Sequence, residues 1–239
     1  MKGCIKMPMI NQERLCITTS KVYDWIVGQI DVPTQSFRGT AGLERLDFSC
    51  ENITDQTSSG PLLSECIPTD AEGNPIDPLS PGSILCTELT QPGGRRNVDV
   101  TLSSGETVTL QEVMLLNRGY YVIQISNPSG VTCTSSPQTY SVIQTFILCA
   151  PEGTNLTCDI SDFQCFSCNS CSLDEEGNQQ FQQIDVSITI CNSLQVESTV
   201  TIELDADICQ PRLTKIERNC PQINIPSGCP AFQNQNIFK

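Results

Sequence analysis

Alternation of apolar and polar residues in the second half of the chain is the pattern that most restricts its fold. Between residues 184 and 190 the even positions hold isoleucine or valine, and the odd positions hold Asp, Ser and Thr. Successive side chains of a β-strand point to opposite faces, so this period of two predicts a strand with one buried face. The alternation returns from residue 194 to 208, and Asn192-Ser193 between the runs predicts a hairpin turn. We therefore expect a mostly β protein with an antiparallel, sandwich-like core and little helix.

Other segments carry weaker signals. Residues 97–111 alternate around a Ser-Ser-Gly turn and predict a hairpin, and Asn127-Pro128-Ser129-Gly130 predicts the end of a strand. Residues 141–149 are apolar on both faces, which is typical of a central strand. Ser20–Ile30 has apolar residues at helical spacing and predicts a short helix.

Composition divides the chain into four segments. Residues 54–95 are rich in Pro, Ser and Gly, and prolines recur at intervals that neither a regular helix nor a central strand tolerates. We interpret this stretch as an extended loop pinned by Cys66 and Cys86. The expected organisation is an N-terminal arm with a short helix (1–35), a Pro/Ser/Gly-rich loop region or small β subdomain (36–95), an antiparallel β core (96–210) and a Cys/Pro-containing tail (211–239).

Charge and composition argue against several functional classes. The chain has 27 acidic and 13 basic residues, a net charge of −14, so we expect no nucleic-acid partner. No apolar run approaches the roughly 20 residues of a membrane span, so we expect no membrane insertion. The complete absence of histidine removes Ser-His and Cys-His catalytic pairs and imidazole metal ligands. The carboxylates form no recognisable catalytic signature, and we expect no enzymatic activity, no catalytic residue and no cofactor.

Fifteen cysteines are many more than a protein of a reducing compartment normally carries. Because the number is odd, at least one thiol per chain stays free or bonds to another chain. The best candidates for intermolecular disulfides lie near the two ends, where terminal segments can reach a neighbour: Cys4, Cys16, Cys220 and Cys229. Three others lie in or beside apolar strands and are expected either to be buried as small hydrophobic residues or to form disulfides within the domain: Cys149, Cys191 and Cys209.

A metal site is the alternative interpretation of one cysteine cluster. Cys165, Cys168 and Cys171 have the C-x2-C-x2-C spacing that holds iron–sulfur clusters in bacterial ferredoxins, and the remote Cys220-Pro221 can formally supply a fourth ligand. With Cys158, the same three residues can instead bind a structural zinc ion. One four-thiolate site leaves eleven of the fifteen cysteines unexplained. We therefore favour disulfide or cross-link partners on a loop.

Three segments resemble cysteine-rich surface proteins of endospore-forming Firmicutes, including those of the exosporium and of endospore appendages. They are CITTSKVYDWI at residues 16–26, LCAPEGT at residues 148–154, and the strands from Cys191 to Cys209. The resemblance implies a non-enzymatic subunit that self-assembles into a lattice or fibre on the spore surface and is locked by disulfides. Its implied partners are copies of itself and other spore-surface proteins.

The N-terminal residues bear on where such a subunit is made. They lack the apolar core of a secretory signal, and we expect synthesis in the mother-cell cytoplasm. Two other classes stay open, a redox or metal-binding module and a monomeric ligand-binding β-domain.

Overall fold

The structure is a computed structural model, and it describes residues 13–50, 62–127, 130–173 and 179–206 of the 239-residue chain. About 70% of these residues lie in strands, which confirms the mostly β prediction. The elements are β1 (Glu13–Arg38), α1 (Gly39–Leu46), β2 (Leu63–Thr69), β3 (Leu85–Glu88), β4 (Arg96–Thr101), β5 (Thr107–Ser126), β6 (Thr132–Thr134), β7 (Gln138–Leu148), β8 (Asn155–Leu173) and β9 (Gln179–Ala206).

The chain divides into two compact units, of which the larger comprises Ile17–Ile202. The smaller unit comprises residues 1–16 and 203–239, and its described part is the start of β1 and the end of β9. Within this smaller unit Arg14 lies 3.5 Å from a carboxylate oxygen of Glu203 and of Asp205. All three side chains are largely exposed, so these ion pairs contribute little to stability.

Two sheets form the larger unit. Sheet A has the strand order β1-β9-β8, and sheet B is built around the long strand β5. Strands β2 and β6 both pair with residues 124–126 of β5, so they occupy its opposite edges. Strand β7 shares residues 120–121 of β5 with β2, residues 115–118 with β3 and residues 111–112 with β4. Strands β2, β3 and β4 therefore lie along one edge of β5, and β6 and β7 lie along the other.

The core lies between the two sheets. The odd positions of β5 from Val113 to Ile125 and the even positions of β9 from Ile184 to Val196 are buried, as the alternation predicts for facing sheets. These residues form two apolar clusters. The first, here called the tyrosine cluster, includes Tyr121, Tyr140, Ile123, Ile188 and Ile190. The second, here called the leucine cluster, includes Leu115, Leu148, Leu194, Phe146 and Val196.

Two local turn predictions are confirmed. Strands β4 and β5 pair from Thr101 with Thr107 back to Arg96 with Glu112, as a hairpin. Strand β5 ends at Ser126, and Asn127 closes the following turn through a 3.0 Å bond from its amide to the carbonyl of Val131.

The helix predicted for Ser20–Ile30 is wrong, because these residues lie within β1. The segment is rich in β-branched and aromatic residues such as Val22, Tyr23 and Val27, which fit a pleated surface. Pairing with β9 supplies the backbone bonds that a helix would have supplied internally. Residues from Ile17 onward belong to the same compact unit as the two sheets.

The hairpin predicted at Asn192-Ser193 is also wrong. Strand β9 runs unbroken through these residues, and Asn192 and Ser193 both pair with β8. The even positions face the core on both sides of Asn192, so the alternation continues without any change of parity. A local turn signal is therefore overridden by continuous burial of one face.

Strand β7 is not the central strand predicted from residues 141–149. Among the described strands it pairs with β5 alone, and its outward residues Ile143 and Ile147 are exposed. The segment predicted to be a loop region or β subdomain at residues 36–95 contains α1, and its strands β2 and β3 join sheet B through β5. An edge strand needs only one buried face, so apolar residues on both faces do not by themselves mark a central position.

Candidate disulfide and cross-linking sites

Two disulfides join the sheets along one side of the sandwich. Cys66 of β2 is bonded to Cys165 of β8, with a Cα–Cα distance of 5.5 Å. Cys86 of β3 is bonded to Cys158, also on β8, at 5.9 Å. These distances are normal for disulfides. We call this side, formed by β2, β3 and β8, the stapled flank. The two cysteines interpreted from the sequence as loop anchors are both disulfide-bonded, but each lies within a strand and not in a loop.

A β-bulge in β8 makes both staples geometrically consistent. Cys158 and Cys165 are seven positions apart, and simple alternation would place them on opposite faces of the sheet. The register of β8 on β9 shifts between Ile160 and Asp162, so one extra residue is inserted there. Beyond the shift the odd positions face the core, and Cys165 comes to the same face as Cys158.

The third disulfide, Cys50–Cys133, ties the segment after α1 to β6. Its Cα–Cα distance is 5.8 Å, and Cys133 is fully buried. The backbone amide of Ser49 donates a 2.9 Å hydrogen bond to the carbonyl of Thr134 beside it. The three bonds close loops of 83, 99 and 72 residues. Loops of this length correspond to about 4 kcal/mol of stabilisation per disulfide through lost freedom of the unfolded chain.

The four-thiolate metal site proposed from the sequence is contradicted by these bonds. Cys158 and Cys165 are each bonded to another cysteine, so neither thiolate is available as a ligand. Cys168 is exposed on the opposite face of β8, and the side chain of Cys171 lies outside the described residues. The segment is part of a strand, not a loop. No group of three or more His, Cys, Asp or Glu side chains suitable for a metal ion occurs in the described part of the chain.

Four described cysteines are free, and they fall into two pairs by exposure. Cys16 and Cys168 are exposed, whereas Cys149 and Cys191 are half-buried. Cys16 is one of the cross-linking candidates predicted from the sequence. Cys168 is predicted as a disulfide or cross-link partner, with a metal site only as the alternative. Cys168 lies three positions after Cys165. Because an odd offset on a strand places two side chains on opposite faces, this spacing is the sequence signal that distinguishes the exposed cysteine from the bonded one. The remaining candidates lie outside the described residues: Cys4, Cys209, Cys220 and Cys229.

A surface cleft of about 670 Å³ lies beside the turn that follows β3. Arg95 forms its most prominent polar group, and all of its donors are engaged. Its Nε and Nη2 donate to both carboxylate oxygens of Glu88 at 2.8 and 2.7 Å. Its Nη1 and Nη2 donate to Thr154 and to the carbonyl of Ala150 at 2.7–3.2 Å. The hydrogen bonds to Glu88 raise the pKa of Arg95, and this guanidinium acts as a structural clamp between two loops.

Comparison with family models, with curated proteins and with solved structures found no match for this chain. Across the described residues, no helix is long or apolar enough to cross a membrane.

Proposed function

We propose that this chain is a structural subunit that self-assembles and is locked to neighbouring subunits by intermolecular disulfides. The observation that carries the proposal is the division of the described cysteines into two sets. Six form disulfides that hold the fold together, while four are free, and two of these four, Cys16 and Cys168, present their thiols to solvent. A subunit with this division keeps a cross-linked fold and still has thiols available for its neighbours.

The cross-linking chemistry needs an exposed thiol on each of two subunits. Two S–H bonds break and one S–S bond forms, and an oxidant such as molecular oxygen takes up the two electrons and two protons. The reaction proceeds through the thiolate, which must be accessible to react. Once formed, the bond makes dissociation depend on a reductant instead of on dilution.

The location we propose is the surface of a bacterial endospore, in the exosporium, coat or appendages. The resemblance of residues 16–26 and 148–154 to spore-surface proteins supports this location. Synthesis in the mother-cell cytoplasm, followed by oxidation when that cell lyses, would supply both the reduced subunit and the later cross-links. The proposed partners are copies of the same chain and other spore-surface proteins, and the proposed role is structural and requires no cofactor.

The test compares the full-length chain before and after air oxidation, by negative-stain electron microscopy and by non-reducing and reducing gels. We expect ordered arrays or fibres and a high-mass ladder that collapses with reductant. Monodisperse single chains after oxidation would overturn the proposal and favour a monomeric binding domain.

Variants then locate the cross-links. In Cys16→Ser/Cys168→Ser we expect the ladder to weaken or vanish, while Cys149→Ser, which removes a half-buried thiol, serves as the matched control. A ladder unchanged in the double variant would assign the cross-links to other cysteines, and mass spectrometry of non-reduced peptides would identify them. Immunogold labelling of intact spores tests the location independently. If the disulfide ladder forms but the spores are not labelled, the proposed location is contradicted and the proposed cross-linking stands.

A further inference from the structure

Two asparagines and one tyrosine place unpartnered polar atoms in the middle of the sandwich. Asn117 of β5 and Asn192 of β9 are both 0% exposed, and Tyr140 of β7 is 1% exposed. The amide oxygen and nitrogen of each asparagine have no hydrogen-bond partner in the described part of the protein, and neither has the Tyr140 hydroxyl. We call these three side chains the central polar site.

The central polar site lies at the boundary between the two apolar clusters. Along β5, Asn117 separates Leu115 of the leucine cluster from Tyr121 of the tyrosine cluster. Along β9, Asn192 separates the two clusters in the same way. Every other core-facing position of β9 from residue 184 to 196 is isoleucine, leucine or valine. On both β5 and β9 an asparagine therefore lies between the core-facing residues of the two apolar clusters.

The disulfide between Cys86 and Cys158 shows that the two asparagines lie at similar levels. Cys86 is the cross-strand neighbour of Asn117 in sheet B. Cys158 is the cross-strand neighbour of Leu194 in sheet A, two positions from Asn192. Because the disulfide bonds these two neighbours directly, Asn117 is level with Leu194 of the facing sheet, and Asn192 lies one core-facing position away from that level.

Tyr140 reaches the same level from the neighbouring strand. It pairs with Gly119, the next core-facing position of β5 after Asn117. Its hydroxyl crosses over Gly119, where a Cβ would collide with the Oη atom. On the facing sheet its ring lies 6.2 Å from the ring of Phe163, which pairs with Ile190 beside Asn192. A glycine at this position thus lets the hydroxyl extend toward the middle of the core.

We propose that the central polar site binds ordered water that bridges the two sheets. Each asparagine presents a donor and an acceptor, and the tyrosine hydroxyl can serve as either. Water can satisfy both kinds of group at once. A cation would satisfy the oxygens and leave both Nδ2 groups unpaired, and an anion would do the reverse.

The buried polar atoms of the central polar site favour bound water over a dry site. Buried polar groups without partners are strongly destabilising, and buried waters in proteins typically make about three hydrogen bonds to such groups. Burial also raises the pKa of Tyr140, so its hydroxyl keeps its proton over the physiological range and remains able to donate.

A crystal structure of the full-length chain at about 1.8 Å or better tests the proposal. We expect at least one solvent peak at about 2.7–3.2 Å from polar atoms of both asparagines. Asparagine amides that hydrogen-bond each other or Tyr140 directly, with no solvent peak, would overturn it. A peak coordinated by oxygen atoms alone at shorter distances would overturn it in favour of a cation.

Oxygen-17 magnetic relaxation dispersion tests the proposal in solution by counting long-lived internal waters. We expect Asn117→Leu/Asn192→Leu to lose at least one such water relative to the unmodified chain. The matched control is Asn97→Leu, which removes an exposed asparagine of β4 and should leave the count unchanged. An equal count in the double variant and the unmodified chain would refute bridging water. If the double variant does not fold, the crystal structure of the unmodified chain decides the question.

Discussion

Phe146 of β7 lies directly over Gly28 of β1, and a Cβ on Gly28 would stand 2.7 Å from Phe146 Cε1. This contact holds the two sheets together on the side opposite the stapled flank. Asp24 accepts a 2.8 Å hydrogen bond from the amide of Cys149 on this side, and Gln35 donates one of 3.2 Å to the carbonyl of Thr139. The described contacts between β1 and β7 are non-covalent, so close packing sets the separation of the sheets here.

Replacing Gly28 with alanine should therefore destabilise the sandwich. The added methyl group overlaps the Phe146 ring, and overpacking of this kind typically costs about 1–3 kcal/mol. We expect Gly28→Ala to lower the free energy of unfolding by that amount in urea titrations under oxidising conditions. Combining it with Phe146→Leu should make the two effects less than additive, because the smaller side chain leaves room for the methyl group. Strict additivity would show that the ring moves aside at no cost.

Much of the sandwich could be predicted from the sequence because one face of each long strand is buried. The alternation from 184 to 190 survives in the structure unchanged, as does the hairpin of residues 97–111. The error at Asn192 has a physical cause: the asparagine of a polar pair that usually marks a turn is here enclosed between two sheets, while Ser193 lies on the outward face of β9. Sequence alone does not show which polar residues the opposite sheet will cover.

The disulfide pairing could not be predicted for a related reason. Which cysteines of β8 face the core depends on the register shift between Ile160 and Asp162. Neither residue type marks a bulge, and without the shift Cys165 would point to solvent while Cys168 pointed inward. The choice between a fold-stabilising cysteine and an available thiol thus rests on one inserted residue.

Arg95 and Arg96 are adjacent in sequence but should contribute very differently to stability. Arg95 is 15% exposed and bonds Glu88, Thr154 and Ala150, whereas Arg96 is 68% exposed and pairs with Glu112 alone among the described residues. Lysine keeps the charge but cannot reproduce the planar, multiple hydrogen bonds of a guanidinium. We expect Arg95→Lys to lower the free energy of unfolding by about 1–3 kcal/mol.

The matched variant Arg96→Lys should change the free energy of unfolding by less than about 1 kcal/mol. Urea unfolding of both variants at equal ionic strength measures the difference. Equal effects would show that the bonds made by Arg95 do not stabilise the two loops.

Alkaline pH should unfold the protein through two buried tyrosines. Burial raises the pKa of both Tyr121 and Tyr140 above the ordinary value near 10. Tyr121 also donates a 2.5 Å hydrogen bond from its hydroxyl to Gln35 Oε1, which the ionised form cannot make. The folded state therefore binds these protons more tightly than the unfolded state. The resulting stability is fully present below about pH 10 and is lost as the pH rises further.

Rapid pH-jump absorbance at 295 nm, recorded before thiol exchange begins, can follow this ionisation. Of the four tyrosines in the chain, we expect Tyr121 and Tyr140 to ionise only as circular dichroism reports unfolding. Tyr121→Phe should remove one of the late-ionising groups and weaken the pH dependence of stability above about pH 10. If Tyr121 and Tyr140 ionise near pH 10 while circular dichroism still reports the folded protein, the two hydroxyls are accessible to solvent and the packing described for β5 and β7 is incorrect.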